Sequence, residues 1–371
     1  MAFAETYRGK RVLVTGHTGF KGSWLSEWLL LLGADVTGFS LPPSTNPSLF
    51  AQLELSKRLR HLEGDIRNAA ALETAIMESK PEFIFHLAAQ PLVRLSYREP
   101  VETFATNVMG TVNILDTARR AKWPCAIVAV TTDNCYDNRE WVHSYREEDP
   151  MGGFDPYSSS KGAAELAIAA YRRSFFSHPD SLVHLASARA GNVIGGGDWA
   201  EDRIVPDCIR ALRIQSPIPV RNRIATRPWQ HVLEPLSGYL WLGTALSGGS
   251  AERFRYPQRN YFGAFNFGPA LTSNRTVAEL VIEILKHWSG NWEDRSDPKA
   301  VHEAKLLNLA TDKSFHLLDW SPVWNFESTV ARTTKWYRET EKRPENALAT
   351  TKAQIDQYES DARSLGLPWA A

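Results

Sequence analysis

The segment Arg11-Val-Leu-Val-Thr-Gly-His-Thr-Gly-Phe-Lys-Gly22 decides the fold that we expect for this chain. Its first five residues form an apolar run typical of a buried strand, and a helical pattern begins at Phe20. Between them lie Gly16, Gly19 and Gly22, in the spacing Gly-x-x-Gly-x-x-Gly. Glycine lets the backbone turn tightly and approach a pyrophosphate, which the N-terminus of a helix attracts. Strand, turn and helix together predict a dinucleotide-binding loop.

Strand and helix patterns alternate up to about residue 190. Further strands are expected at 34–39, at a segment that ends with 64–67, and at 83–87, 126–130 and 182–188. Further helices are expected at 69–79, 100–121 and 157–175. Such alternation implies a parallel sheet covered by helices on both faces, which is the Rossmann-type doubly wound α/β fold. Ligands of such sheets bind at the carboxyl ends of the strands.

The alternation loosens after residue 191, although a helix near 235–247, a strand at 262–267 and a helix at about 276–288 are still expected. We therefore predict a dinucleotide-binding domain over 1–190, to which elements near 229–268 are added. Residues 191–371 are expected to form mainly a smaller, mixed α/β domain that binds the substrate.

Composition excludes several classes of protein. The 371 residues are 43% hydrophobic, and Lys plus Arg equal Asp plus Glu at 42 each, so no basic surface indicates a nucleic-acid partner. No apolar stretch has the length of a membrane span or a signal peptide. Cys125, Cys135 and Cys208 form neither a metal pattern nor an even disulfide framework. We expect a soluble cytoplasmic protein that binds no metal, nucleic acid or membrane.

Tyr157 and Lys161 stand four residues apart at the start of an expected helix, so they would share one helical face. An ammonium beside a phenol stabilises the phenolate and lowers the pKa of the tyrosine, which can then act as a base near neutral pH. Alone, Tyr-x-x-x-Lys more often marks a solvated helix face. Together with the glycine loop, it indicates a redox cofactor and a base that accepts an alcohol proton.

The cofactor signals at the second and third strands are less specific. Asp65 would bond the adenine amine, or it would only cap the following helix. At the end of the second strand, Gly38-Phe-Ser-Leu41 contains neither the acid typical of NAD enzymes nor an arginine that would indicate NADP. Ser40 is a candidate contact for the ribose. The choice between NAD and NADP is therefore weakly determined by these residues.

Polar residues also follow two other expected strands. Thr131-Thr-Asp-Asn-Cys-Tyr136 would orient a sugar and supply a proton, or would be an Asx-type turn closing a strand. Arg189, Asn192 and Arg227 are candidates for binding a diphosphate, although a single arginine more often has a structural role. Trp199 and Trp229 are candidates for stacking on a base, with a core position as the alternative.

The helices at 100–121 and 157–175 carry more apolar residues than one buried face needs. Examples are Val101, Phe104 and Val108 on the first and the alanines from Ala163 to Ala170 on the second. This surplus predicts a homodimer, or a larger homo-oligomer, formed through both helices around a two-fold axis.

Several segments together resemble the extended short-chain dehydrogenases/reductases: 15–22, His86-Leu-Ala-Ala89, Thr106-Asn-Val-Met-Gly-Thr111, the Thr-Asp segment and the Tyr157/Lys161 pair. Within that family, longer segments are similar to those of the CDP-glucose 4,6-dehydratases. These are Cys135-Tyr-Asp-Asn-Arg-Glu-Trp141, Gly152-Gly-Phe-Asp-Pro-Tyr157, the run from Ala188 to Trp199, and Arg227-Pro-Trp-Gln-His-Val232. The likeness runs from about Gly9 to Trp336.

The resemblance implies a lyase that holds NAD tightly and acts on CDP-glucose. Tyr157 would deprotonate the hydroxyl on carbon 4 as hydride leaves that carbon, Lys161 would assist it and hold the nicotinamide ribose, and Thr132 would bond the same sugar oxygen. Asp133 would protonate the hydroxyl leaving carbon 6, to which the stored hydride then returns. The product would be a 4-keto-6-deoxy sugar nucleotide, a precursor of deoxyhexoses in surface polysaccharides.

The resemblance also implies the residues that surround both ligands. The cofactor would lie against Gly16, Thr18, Gly19, Phe20, Gly22, Asp65, Ile66, Leu87, Ala88, Ala89, Asn107, Tyr157 and Lys161. The nucleotide sugar would lie against Gln90, Arg94, Arg189, Asn192, Trp199 and Arg227.

One position departs from the family pattern. CDP-specific relatives carry a lysine after the aspartate, and dTDP-specific relatives a glutamate, whereas this chain has Asn134. An amide has no usable pKa for taking the carbon 5 proton, which elimination requires. Three interpretations stay open: a dehydratase that uses another base, another nucleotide-sugar enzyme such as a 4-epimerase, and a catalytically impaired or silent protein that binds sugar nucleotides.

Overall fold

The computed structural model describes residues 2–249, 251–296 and 306–371. Its strands are β1 (Arg11–Thr15), β2 (Asp35–Ser40), β3 (Arg60–Glu63), β4 (Phe83–His86), β5 (Cys125–Val130), β6 (Val183–Arg189), β7 (Val193–Ile194), β8 (Ile218–Val220), β9 (Thr226–Pro228), β10 (Gln230–His231), β11 (Ala264–Asn266), β12 (Asn274–Thr276) and β13 (Trp292–Asp294). Seven of these form one parallel sheet in the order β11-β6-β5-β4-β1-β2-β3. The predicted doubly wound α/β fold is confirmed.

The α-helices are α1 (Phe20–Leu31), α2 (Leu49–Gln52), α3 (Ala69–Ser79), α4 (Val93–Arg98), α5 (Pro100–Phe104), α6 (Gly110–Ala118), α7 (Pro156–Tyr171), α8 (Ile204–Arg213), α9 (Leu233–Ser247), α10 (Val277–His287), α11 (Asp312–Leu318), α12 (Phe326–Glu341) and α13 (Ala347–Ser364). The single helix expected over 100–121 is interrupted by a wider, π-type turn at Ala105–Met109. A second such turn, Arg172–Phe176, extends α7.

The order in which strands are added to the sheet reverses at β1. From β1 the chain adds β2 and β3 on one side, and then crosses to β4, β5 and β6 on the other. The loops that follow β1 and β4 therefore diverge at the carboxyl ends of two neighbouring strands. Such a switch point opens a crevice there, and this is the position where the glycine loop lies.

Side chains of the sheet alternate between two hydrophobic clusters. Leu13 packs with residues of α3, α6 and α7 on one face, whereas Val12 and Val14 pack with α1 and α9 on the other. This alternation follows from the two-residue period of a strand. Both faces of the sheet are thus covered, and only the strand ends remain available for a ligand.

The part of the chain after residue 191 is joined to the sheet by a continuous core. In this part, α9 covers β5 and β6, and β11 pairs with β6. Sequence analysis did not predict α12 and α13. Of these, α13 packs against α1, where the indole of Trp28 donates to Glu359 Oε1 at 2.7 Å. The division into domains at residue 190 stays a prediction.

None of the helices in the described part of the chain has the length and apolar character that crossing a membrane requires.

Candidate active site

The glycine loop joins β1 to α1, and its geometry fits the pyrophosphate of NAD. Gly16 has a φ of +76°, and a Cβ at this position would lie 2.7 Å from the backbone nitrogen of Ala88. A Cβ on Gly22 would overlap the carbonyl of Gly16. α1 begins at Phe20 without a side-chain cap, so the N–H groups of its first turn are available to an anion.

The predicted catalytic residues meet where β5 ends and α7 begins. β5 leads into a short turn at Asp133–Cys135, and α7 starts at Pro156 behind the cap residue Asp155. The carboxylate of Asp155 accepts a hydrogen bond from the Ser158 N–H at 2.9 Å, which fixes the first turn of the helix. Thr132, Asp133, Asn134, Tyr157 and Lys161 all line one cleft of about 1270 Å³, together with the glycine loop.

Burial dominates the protonation of the tyrosine and the lysine. It raises the pKa of Tyr157 to about 12, while a hydrogen bond with Thr132 acts in the opposite direction. It lowers the pKa of Lys161 to about 8, against the attraction of Glu165, and the Lys161 ammonium donates to Val130 O at 3.5 Å. The prediction that Lys161 brings the pKa of Tyr157 close to neutrality was wrong for this structure, because loss of water around the phenolate is the larger effect.

Asp133 is held by three side-chain donors. Its Oδ1 accepts from Thr132 Oγ1 at 2.9 Å and from Asn134 Nδ2 at 3.0 Å. Its Oδ2 accepts from Asn192 Nδ2 at 3.0 Å. Asn134 therefore orients the neighbouring carboxyl group, and Asn192, which we expected to bind a diphosphate, lies beside that carboxyl group as well.

The surroundings of Asp133 suit a proton donor. Burial raises the pKa of Asp133, whereas its hydrogen bond with Thr132 and the charges of Lys21 and Arg227 lower it. Gly191 lies directly against the carboxyl group, because a Cβ at that position would overlap it. A buried carboxyl group with a raised pKa keeps its proton closer to neutral pH, as a general acid must.

Arg189 does not reach the cleft, which corrects its predicted role in binding a diphosphate. It is buried, and it donates to Glu165 through Nε at 3.0 Å and Nη2 at 2.9 Å. Its Nη1 donates to Tyr136 Oη at 2.8 Å and to the Glu147 carbonyl at 2.9 Å. Glu165 also accepts from Thr131 Oγ1 at 2.5 Å. The pair is thus a structural support that ties α7 to β5 and β6.

The two tryptophans have different positions. Trp199 lies outside the cleft: its indole donates to Gln52 Oε1 at 3.0 Å, and its ring packs edge-on against Tyr337. Its predicted stacking on a base is therefore not supported. Trp229 lines the cleft, although its indole donates to the Arg275 carbonyl at 3.1 Å.

The remaining predicted substrate residues line the cleft but have protein partners of their own. The Gln90 side chain donates to Thr103 Oγ1 at 2.9 Å and accepts from the Leu92 N–H at 2.6 Å. Arg94 pairs with Asp202 at 3.6 Å, and Arg227 donates to the carbonyl of its neighbour Thr226 at 2.9 Å.

The structure brings most of the predicted cofactor residues together. The residues that line the cleft with Tyr157 and Lys161 are Gly16, Thr18, Gly19, Phe20, Gly22, Asp65, Ile66, Leu87, Ala88 and Ala89. Asn107 lies behind the lining, inside the wide helical turn, where its amide exchanges hydrogen bonds with the backbone of Gln90 at 2.9 and 3.1 Å and donates to Ser160 at 2.8 Å. Asp65 does not cap the next helix, since Asn68 does so.

Two polar residues of the site, and one that supports it from behind, were not singled out from the sequence. Lys21 lines the cleft within the glycine loop, and burial lowers its pKa to about 8. Arg203 also lines the cleft and pairs with Asp198 at 2.8 Å. Glu165 had a usable signal, because it stands one helical turn beyond Lys161. Within the described residues, no group of three or more His, Cys, Asp or Glu is arranged to hold a metal ion.

Comparison with known proteins agrees with this geometry. The family model described as GDP-mannose 4,6 dehydratase matches residues 13–333. A CDP-glucose 4,6-dehydratase from Salmonella typhimurium is 46% identical over 95% of this chain and 97% of its own length. A UDP-glucose 4-epimerase from Mycolicibacterium smegmatis is 33% identical over 88% of this chain and 98% of its own length.

Among solved structures, a dTDP-glucose 4,6-dehydratase from Streptomyces venezuelae with NAD bound superposes with a TM-score of 0.74 at 26% identity. The match covers 90% of this chain and 98% of that one. With a matching family model over most of its length and a relative of 46% identity, the chain belongs to the GDP-mannose 4,6-dehydratase family, whose fold is that of the short-chain dehydrogenases/reductases.

Proposed function

We propose that this protein is an NAD-dependent CDP-glucose 4,6-dehydratase, a lyase that forms CDP-4-keto-6-deoxyglucose and water. The observation that carries the proposal is the convergence of Tyr157, Thr132, Asp133 and Lys161 on one buried cleft that also contains the glycine loop. The choice of CDP-glucose among nucleotide sugars rests on the 46% identity with the Salmonella typhimurium enzyme over nearly the full length of both chains.

The roles of the residues follow from their chemistry. Oxidised NAD, when bound, supplies a hydride acceptor. Tyr157 takes the proton of the hydroxyl on carbon 4, and Thr132, its hydrogen-bond partner, orients the same oxygen. The ketone that forms acidifies the hydrogen on carbon 5. Lys161 stands one helical turn from the tyrosine on α7, and its positive charge opposes the effect of burial, which raises the pKa of Tyr157.

The elimination depends on Asp133. Its raised pKa allows it to donate a proton to the hydroxyl that leaves carbon 6 as water. Asn134 positions this acid through the 3.0 Å hydrogen bond and takes no proton itself. With no base at position 134, the carbon 5 proton passes to water, and its removal is the slow half of the reaction in this chain. Carbon 6 then takes back the hydride that left carbon 4, and carbon 5 regains a proton.

A 4-epimerase is the second candidate, and Asn134 is the observation that favours it. Epimerisation needs Tyr157, Lys161 and NAD but no acid–base pair for elimination. A dehydratase releases a 4-keto-6-deoxy product, whereas an epimerase releases a sugar with an inverted hydroxyl and no loss of water.

The nucleotide can be tested with four substrates. Purified protein is incubated separately with CDP-, UDP-, GDP- and dTDP-glucose, and each reaction is followed by the absorbance of 4-keto sugars in alkali. We expect turnover with CDP-glucose and at least about 10-fold less with the others, which corresponds to one lost hydrogen bond of roughly 1.4 kcal/mol. Equal rates with all four would contradict the assignment of CDP.

We also propose a homodimer formed through α5, α6 and α7. Five large apolar side chains on these helices and their wide turns are exposed: Val101, Phe104, Met109, Leu166 and Phe175. The two helical segments pack side by side, so their apolar residues form one face. Leu166→Glu should shift the mass measured by light scattering from dimer to monomer, whereas Leu365→Glu, an exposed control on the far side of the fold, should not.

A cytoplasmic location stays part of the proposal. It is supported by the three cysteines, which are all buried and unbridged, since disulfides are rare in reducing compartments.

A further inference from the structure

The end of β2 carries a hydroxyl where dinucleotide-binding folds commonly carry a charge. Ser40 is the last residue of β2, about 20 residues beyond the glycine loop, and its side chain is buried while lining the cleft. An acid at this position accepts hydrogen bonds from the ribose of NAD, and an arginine nearby accommodates the 2′-phosphate of NADP. Here the discrimination must come from something else.

The hydroxyl groups of Thr18 and Ser40 form two hydrogen bonds whose donors are determined by their partners. Thr18 Oγ1 donates to the carbonyl of Leu41 at 2.9 Å, because a carbonyl only accepts. A hydroxyl has one proton, so Thr18 has none left for Ser40, whose Oγ lies 2.8 Å from Thr18 Oγ1. Ser40 is therefore the donor in the bond between them. The result is a chain of hydroxyls that runs from Ser40 through Thr18 to Leu41.

This chain fixes what the cleft meets at Ser40. With its proton turned toward Thr18, the Ser40 oxygen presents only lone pairs, and within the described residues its hydroxyl makes no second hydrogen bond. A ribose 2′-hydroxyl can donate to those lone pairs. A 2′-phosphate is negatively charged and only accepts hydrogen bonds. Its oxygens would therefore face the lone pairs of the Ser40 oxygen with no proton to form a hydrogen bond between them.

The charges beside Ser40 also disfavour a 2′-phosphate. Arg67 lines the cleft and follows β3, the strand that pairs with β2 beside Ser40. Its Nε and Nη2 donate to Asp65 Oδ2 at 2.9 and 2.6 Å, and its Nη1 pairs with Glu102. Two carboxylates on one guanidinium leave a net negative charge, so Arg67 offers little attraction to a phosphate.

From these observations we infer that Ser40, oriented by Thr18, selects the cofactor by accepting a hydrogen bond from its ribose 2′-hydroxyl. The Ser40–Thr18–Leu41 chain thus replaces the missing acid as the element that prefers NAD over NADP. This inference rests on the proposed function only in assuming that a nicotinamide dinucleotide occupies the cleft.

The test is calorimetric titration of the full chain, freed of co-purified nucleotide, with NAD and with NADP. The parent should bind NAD more tightly by at least about 10²-fold. Thr18→Val keeps the shape of the side chain but frees the Ser40 proton, which can then point into the cleft. The ratio of affinities should fall by about 10-fold or more, chiefly through tighter binding of NADP, because a hydrogen bond to a charged group contributes about 1.5–3 kcal/mol.

Two further variants separate this effect from a general disturbance. Ser40→Ala removes the acceptor and should weaken NAD by about 5- to 10-fold while leaving NADP nearly unchanged. Ser44→Ala, at another serine that lines the cleft, should change neither affinity. Thermal unfolding of each variant, and Thr18→Ala as a second substitution, show whether a change in the affinity ratio accompanies a loss of fold.

The outcomes distinguish the inference from the proposed function. An unchanged ratio in both folded Thr18 variants, or an equal loss of NAD and NADP in Ser40→Ala, would overturn the role of the hydroxyl chain while leaving the dehydratase intact. A parent that binds both cofactors equally would overturn the inference alone. A parent that binds neither would overturn the inference and the proposed function together.

Discussion

Replacing Asn134 with lysine should speed product formation. The Asn134 amide lies 3.0 Å from the Asp133 carboxylate. A lysine amine at this position would therefore lie close to Asp133, the proposed proton donor to the leaving hydroxyl. A positioned general base typically contributes ~10²- to 10⁴-fold to the rate of the step that it assists. Part of this gain is lost, because Asp133 favours the ammonium form and the amide hydrogen bond, worth about 1 kcal/mol, is removed. We therefore expect a net gain of roughly 10- to 10²-fold.

Rapid mixing of the NAD-loaded protein with CDP-glucose reports both halves of the reaction through the NADH absorbance. In the parent, absorbance should rise quickly and decay slowly, because oxidation at carbon 4 needs only Tyr157, Lys161 and NAD. Asn134→Lys should leave the rise unchanged and accelerate the decay.

Asn134→Ala is the matched control, since it removes the hydrogen bond to Asp133 without adding a base. It should decay no faster than the parent. If the parent builds up no NADH and lysine gives no gain, the carbon 5 proton is taken by another group, and Asn134 is not the weak point of the site.

Three further perturbations follow from the site and its support. Tyr157→Phe should slow NAD reduction by about 10²- to 10⁴-fold in single-turnover absorbance, at an NAD affinity close to that of the parent; NADH formed at the parent rate would show that the phenol is not the base. Arg227→Ala should raise the KM for CDP-glucose more than it lowers kcat, because it removes a cationic donor from the cleft; steady-state kinetics with a loss confined to kcat would argue against this. Glu234 is buried on α9, where its carboxylate accepts from the N–H groups of Val323 and Trp324 and from Tyr358, and burial raises its pKa to about 7. A folded-state pKa above the ordinary 4.5 means that its contribution to stability is present below about pH 4.5 and is lost as the pH rises through 7, by up to roughly 3 kcal/mol. Denaturant unfolding across this range should show the loss in the parent and a flatter profile in Glu234→Gln; identical profiles would contradict the assignment.

The fold was predictable because its signals are local. The glycine loop, the apolar runs of β1 and β5 and the helical pattern of α3 each lie within about a dozen residues, and local pattern decides them. The wide turn at Ala105–Met109 was not predictable in this way. It places Asn107 against the backbone of Gln90, which is a contact between segments far apart in the sequence.

The site was predictable to the extent that residue type fixes position. Tyr157 and Asp133 stand at element boundaries that face the crevice, and Lys161 lies one turn further along α7. Arg189 also stands at such a boundary, but its guanidinium pairs with Glu165 on α7 and does not reach the cleft. The raised pKa of Tyr157 was missed for a related reason, because burial depends on every segment that closes over the phenol.

The most direct test of the central claim is the fate of the hydrogen on carbon 4. The protein is incubated with CDP-glucose carrying deuterium at that carbon, and the product is analysed by mass spectrometry and NMR. A dehydratase with internal hydride transfer should give a product lighter by one water, with a ketone at carbon 4 and the deuterium on carbon 6. A sugar of unchanged composition that keeps deuterium on an inverted carbon 4 would contradict this account and identify an epimerase.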